Sequence, residues 1–205
     1  RAAPGLPAAA ISAFLLSMGF LAVDAFLTLM LVQIRGLSLA EAGAAVTIAT
    51  ITWAGGAAWQ SGRAERMPLS RLLRIGVAGT LVGEVLVAAT LVARVPLAAA
   101  YVGWTIVGFG MGVAFTTMPL AAMRDADAGE EASEVSSVLL MDMLGVATGA
   151  GIGGGVIAVT SGFGASLVAG IGGSYAIGIA TLAALLWVAG RLVPSADPPS
   201  PVSDR

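Results

Sequence analysis

Long apolar runs, separated by short polar breaks, repeat along the chain at helical lengths. Six of them span about 9–34, 40–60, 72–93, 97–123, 135–159 and 164–190. A bilayer core of about 30 Å needs roughly 20 apolar residues as helix, so each run is long enough to cross. Residues 42–62 and 95–123 contain no charged side chain at all. Residues 143–190 are charge-free too, enough for two helices, and "TSGFG" at 160–164 supplies the glycines for a tight reversal between them. The first run is longer than a signal-peptide core and has no basic start beyond Arg1, so it reads as a span. The pattern predicts an all-α integral membrane protein of six transmembrane helices over 9–190. A linker at 1–8, cut short before "RAAPGLP", precedes them, and a Pro/Ser-rich disordered tail at 191–205 follows.

Composition supports lipid as the main solvent. Hydrophobic residues make up 58% of the chain and charged residues 11%, whereas a soluble surface takes about a quarter charged residues. The sequence has no Cys, His, Lys or Asn. Thiolate and imidazole metal sites, Ser-His or Cys nucleophiles and lysine Schiff bases are therefore out of reach, and neither an enzyme nor a cofactor is expected. All ten basic residues are arginine and the net charge is −2, which offers no nucleic-acid surface. The Ala/Gly/Arg bias fits a GC-rich, bacterial genome.

Charge also sets an orientation. Six spans put both termini on one side, together with Arg1, Arg63, Arg66, Arg71, Arg74, Arg124, Arg191 and Arg205; the other side keeps only Arg35 and Arg94. The positive-inside rule then makes both termini cytoplasmic, in a multi-pass plasma-membrane protein.

"GAGIGG" at 149–154 matches the G-x-G-x-x-G spacing of a dinucleotide loop. That motif needs a strand before it, a helix after it and an acid about 20 residues on. No acid occurs between Asp142 and Asp197, and the surroundings are one apolar run. On a helix, Gly145, Gly149 and Gly153 instead form a small-xxx-small ridge for close packing. Gly108 and Gly112 form a second ridge, and Gly76, Thr80, Gly83 and Glu84 a third. So many glycines also leave a helix bendable.

Three acids fall inside predicted spans: Asp24, Glu84 and Asp142. Each costs about 2.5–3.5 kcal/mol at a helix centre, so each is a candidate for proton coupling. No Lys or His lies in a span to neutralise them. Asp24 sits mid-span between Ser17 and Thr28, a polar stripe suited to a cavity wall or to internal hydrogen bonding. Asp142, one turn before the glycine ridge, suits either a cytoplasmic vestibule or a bond to the acidic-loop helix cap. Glu84, beside Gly83 and Thr80, suits a packing hydrogen bond as readily as a functional one. Trp53 and Trp104 are deep enough to stack a flat solute in a cavity, whereas Trp59 suits interfacial anchoring. Thr50 shares the Trp53 face, although buried threonines commonly bond their own helix backbone.

Several stretches resemble a known family. "VDAFLTLMLVQIRGLSLAEAG" (23–43) is similar to the seventh helix and outer loop of major facilitator superfamily transporters. "GFGMG" (108–112) resembles their tenth helix, and "GVATGAGIGG" (145–154) the antiporter motif, with Ala150 in place of its proline. The loop "AAWQSGRAERMPLSR" lacks the Asp-Arg pair of the first half, and "VGWTIVGFGMG" lacks its basic residue. Both departures resemble the C-terminal half. The resemblance implies that the first, second, fourth and fifth spans line a central cavity while the third and sixth lie outside. It implies a cytoplasmic gate at Arg63, Glu65 and Arg66, and a partner N-terminal six-helix half, in the same chain or in a second copy.

The expectation is a secondary transporter, or half of one, moving a small organic solute by alternating access, with proton-coupled efflux the form the carboxylates favour. Asp24 is then the first proton carrier to test. The competing expectation is a non-transporting six-helix scaffold or sensor, in which the acidic loop at 125–134 and the tail carry the contacts.

Overall fold

The computed structural model describes residues 6–192, and these are helical throughout apart from short turns. The helices are α1 (Leu6–Leu29, continued by a π-helical turn over Met30–Ile34), α2 (Leu39–Ser61), α3 (Leu69–Ala89), α4 (Ala98–Asp125), α5 (Glu131–Gly162) and α6 (Leu167–Leu192). No strand occurs among the described residues. Residues 1–5 and 193–205, with most of the expected linker and tail, lie outside the described part. Leu6–Ala8 and Arg191–Leu192, expected to be linker and tail, are helical. Pro7 is tolerated in the first turn, where a backbone donor would have no intrahelical partner.

Five helices are long and apolar enough to cross a membrane: α1 with its extension, α3, α4, α5 and α6. The chain is to that extent consistent with a membrane protein. At 23 residues α2 has the length, but Thr47, Thr50, Thr52 and three glycines dilute its apolarity, and it is not among these five.

Local chemistry explains where the helices stop. At the start of α2, Ser38 and Glu41 form a capping box: the Ser38 amide donates to the Glu41 carboxylate at 2.8 Å and the Glu41 amide to Ser38 Oγ at 3.3 Å. Gly36 (φ 72°) and Gly164 (φ 76°) take the left-handed conformations that reverse the chain before α2 and before α6. The helix α3 ends at Ala89, short of the expected residue 93. The stretch after it is apolar enough to read as helix, yet the Arg35 guanidinium collects the carbonyls of Thr90, Val92 and Val95 at 3.0, 3.2 and 2.8 Å. Pro96 also biases Val95 away from helical geometry. At its other end α5 begins at Glu131, before the expected residue 135, with Glu131 and Glu134 in the first turn where a helix favours negative charge.

The bundle is organised on α4, which packs most closely on α3 and α2, while α1 packs on α5 and α6. Glycines set these distances. A Cβ on Gly108 or Gly112 would strike the carbonyl of Ala49 or Trp53 on α2, and one on Gly110 would meet the Thr80 amide on α3. On α5, Cβ atoms at Gly145 and Gly149 would strike the carbonyls of Phe14 and Met18 on α1; one at Gly153 would meet Ser174 Oγ and the Phe26 ring. The "GAGIGG" segment thus lies wholly within a packed helix. Hydrogen bonds reinforce the same seams: Thr52 Oγ1 donates to the Thr105 carbonyl at 3.0 Å, and Ser174 Oγ to the Ala22 carbonyl at 2.6 Å.

Replacing Gly112 by Ala pushes a methyl group onto the α2 backbone and is expected to cost about 1–3 kcal/mol. Gly151→Ala is the matched control, because nothing lies within 4 Å of its Cβ position. Thermal unfolding in detergent should fall for the first and hold or rise for the second.

Candidate functional site

A cleft of about 230 Å³ opens between α1, α2 and α4. Phe20 and Asp24 reach it from α1, Thr50 and Trp53 from α2, and Trp104 and Gly108 from α4, with aliphatic side chains between them. Four of the residues singled out in the sequence, Asp24, Thr50, Trp53 and Trp104, therefore converge on one space. The expected wall from the fifth span is missing, since no α5 residue lines this cleft.

The aromatic groups form an ordered set. Phe20 stacks on Trp104, with centroids 5.7 Å apart and planes 14° from parallel, and meets Trp53 edge-on at 5.9 Å and 71°. Phe115 braces the far side of Trp53 at 5.5 Å. Offset stacked and edge-on pairs are the geometries favoured by the ring quadrupoles. Trp104 is buried while Phe20 and Trp53 are half-buried, so rings remain available at the cleft surface. Gly108 lets α2 and α4 approach at the floor, and the Thr50 hydroxyl is turned to its own helix, donating to the Val46 carbonyl at 3.0 Å. Asp24 is the cleft's ionisable side chain and is partly exposed. Phe20 was not anticipated from the sequence; its signal was its position one helical turn before Asp24.

The polar stripe expected along α1 does not form a single wall. Thr28 is half-buried and does not line the cleft. Ser17 points to α5, where its buried hydroxyl donates a hydrogen bond to Asp142. Asp142 is thus bonded across the α1–α5 seam, and not to the acidic-loop cap. It borders a niche of about 10 Å³ with Pro119 and Val138, room for about one water.

Glu84, on α3, is fully buried, and neither carboxylate oxygen has a hydrogen-bond partner. The arginine loop after α2, where the resemblance implied a gate, is held by contacts of its own. The Arg63 guanidinium lies 4.2 Å above the Trp59 ring, and Glu65 is exposed. The Arg66 amide donates to the Arg63 carbonyl at 2.9 Å, and Arg124 reaches across from α4 to the Ala64 carbonyl at 3.0 Å.

No protein-family model and no curated protein sequence matches this chain.

The Ser17–Asp142 contact yields a stability prediction. Ser17→Ala leaves a buried carboxyl without its partner and should cost about 1–3 kcal/mol. Asp142→Asn keeps an acceptor for Ser17 and should cost less, a ranking that unfolding in detergent can read.

Proposed function

We propose that this protein is a secondary transporter, or one half of one, of the major facilitator type, and that the α1–α2–α4 cleft holds its solute. On this reading all six helices span the plasma membrane, both termini face the cytoplasm, and an N-terminal six-helix half or a second copy completes the carrier. One observation carries the proposal: a carboxylate stands beside three aromatic rings in an open space of about 230 Å³. Pockets for small organic molecules are mostly apolar with a few placed polar groups, and this cleft follows that rule.

The chemistry also suggests a kind of solute. Aromatic faces attract cations, and the attraction grows as water is removed. A carboxylate at the same place adds charge complementarity, so a small aromatic or quaternary ammonium compound is the class that fits. Asp24 then serves two ligands in turn. A cation held against its carboxylate excludes the proton, and a proton on Asp24 removes the charge that the cation needs. Mutual exclusion at one acid is sufficient for exchange of solute against protons across the membrane. The glycine contacts of α4 with α2 support the mechanical side, because helices touching through backbone shift against one another without repacking large side chains.

The test is flux. In proteoliposomes with an imposed proton gradient, the protein is expected to move phenyltrimethylammonium and to dissipate the gradient as it does so. Asp24→Asn should lower that flux at least about tenfold, while Trp53→Ala should weaken apparent affinity more than maximal rate. No flux from the intact protein would favour a non-transporting scaffold instead, and gradient-independent flux would refute proton coupling while leaving a carrier.

A further inference from the structure

The outer face of α3 joins charge to apolar surface. The helix packs on α4 and α6. The side turned from both carries Arg71, Arg74, Ile75, Ala78, Val82 and Val85, which recur at helical spacing, and none of them is buried. Ile75, Val82 and Val85 are exposed aliphatic side chains. From Ile75 to Val85 the helix rises about 15 Å, half of a hydrocarbon core of about 30 Å. The apolar strip therefore has the height of one leaflet, and the two arginines stand at its edge.

The charge at that edge is uncompensated. Arg71 lies in the first turn of α3 and Arg74 in the second, where the helix dipole is already positive, and the first turn holds no acid. Arg66, in the turn leading into α3, adds a third exposed guanidinium. Between Glu41 and Glu84 the only acid is Glu65. Among the described residues, no side-chain hydrogen bond or ion pair holds Arg66, Arg71 or Arg74. Arg63 and Arg124, by contrast, are taken up by the Trp59 ring and the Ala64 carbonyl. Positive groups gathered at a positive helix end call for an anion. The apolar strip beside them calls for an anion that carries hydrocarbon.

We propose that this face binds an anionic phospholipid, with its phosphate held by Arg71 and Arg74 and its acyl chains laid along Ile75, Val82 and Val85. Guanidinium groups suit the headgroup because each offers parallel donors to a pair of phosphate oxygens. Arg66 adds to the attraction from beside the strip. The proposal needs α3, one of the five helices long and apolar enough to cross a membrane, to stand with this end at the headgroups. It does not need the protein to transport anything. A lipid held here ties the loop after α2 to the surface of the leaflet.

Native mass spectrometry of the intact protein in detergent, titrated with phospholipid, reads how many lipids bind and how tightly. Dioleoylphosphatidylglycerol is expected to bind at least about tenfold more tightly than dioleoylphosphatidylcholine, which shares its chains and phosphate but carries no net charge. Arg71→Gln/Arg74→Gln should remove that preference and Arg71→Lys/Arg74→Lys should keep most of it. Arg94→Gln, in the turn beyond the far end of α3, should leave it intact. Equal binding of the two lipids, or a preference unchanged in Arg71→Gln/Arg74→Gln, overturns the proposal. So does protection from thermal unfolding by inorganic phosphate that matches the protection by phosphatidylglycerol, which would make this a free-anion site. Matching protection by a polyglutamate peptide would make it a docking place for an acidic protein, and overturns the proposal too. Should the double glutamine variant fail to fold by circular dichroism, Arg71→Gln and Arg74→Gln decide singly, each expected to lose at least about threefold in affinity. Flux does not enter the readout. A carrier without the lipid preference would refute the lipid site alone, and the preference in a protein that moves no solute would refute the carrier reading alone.

Discussion

Backbone contact along α4 is the constraint on which the rest of the bundle depends. Gly108 and Gly112 bring α2 against it and Gly103 and Gly110 bring α3, in each case so closely that a single methyl group has no place. Where side chains are this small, helices are held by dispersion and by hydrogen bonds between main chain and hydroxyl groups, as at Thr52 and Thr105. The position of Trp104 against Phe20, and of Trp53 across from both, follows from that spacing. Widening it by the thickness of a methyl group would pull the rings apart and change the shape of the cleft.

The acids show a second constraint at work. With no lysine or histidine in the chain, each carboxyl inside the bundle has to find another solution, and the three find different ones. Asp142 takes a hydroxyl from α1, Asp24 faces an open space, and Glu84 is fully buried with no hydrogen-bond donor at either oxygen. Burial without compensation is costly, and Glu84 bears that cost on a helix that the resemblance placed at the periphery.

Much of the helical layout was legible in the sequence, because charge-free runs such as 143–190 leave little alternative to helices and Gly164 marks the reversal. The end of α3 was not legible. Hydropathy sees "TLVARVPL" as more of the same, and it cannot see Arg35, some 55 residues away, gathering the carbonyls there. The site was half readable. Asp24, Thr50, Trp53 and Trp104 stand out as polar or aromatic exceptions within apolar helices, and they do meet at the cleft. Other pairings were hidden by distance along the chain: Ser17 and Asp142 are 125 residues apart. Pairings of that kind are properties of the packed bundle, not of any helix alone.

The cleft lies where α1 and α2 barely touch, although they follow one another in the chain. Each is committed elsewhere, α1 to α5 and α6, and α2 to α4. The α1–α2 face is accordingly a seam with little direct packing: α5 and α6 gather on α1, α2 and α3 gather on α4, and the two groups are joined instead where α3 packs on α6 and where α4 meets α1 and α5. Along that seam the joining turn is short and includes Gly36, so the lips of the cleft can part with little apolar packing surrendered between them.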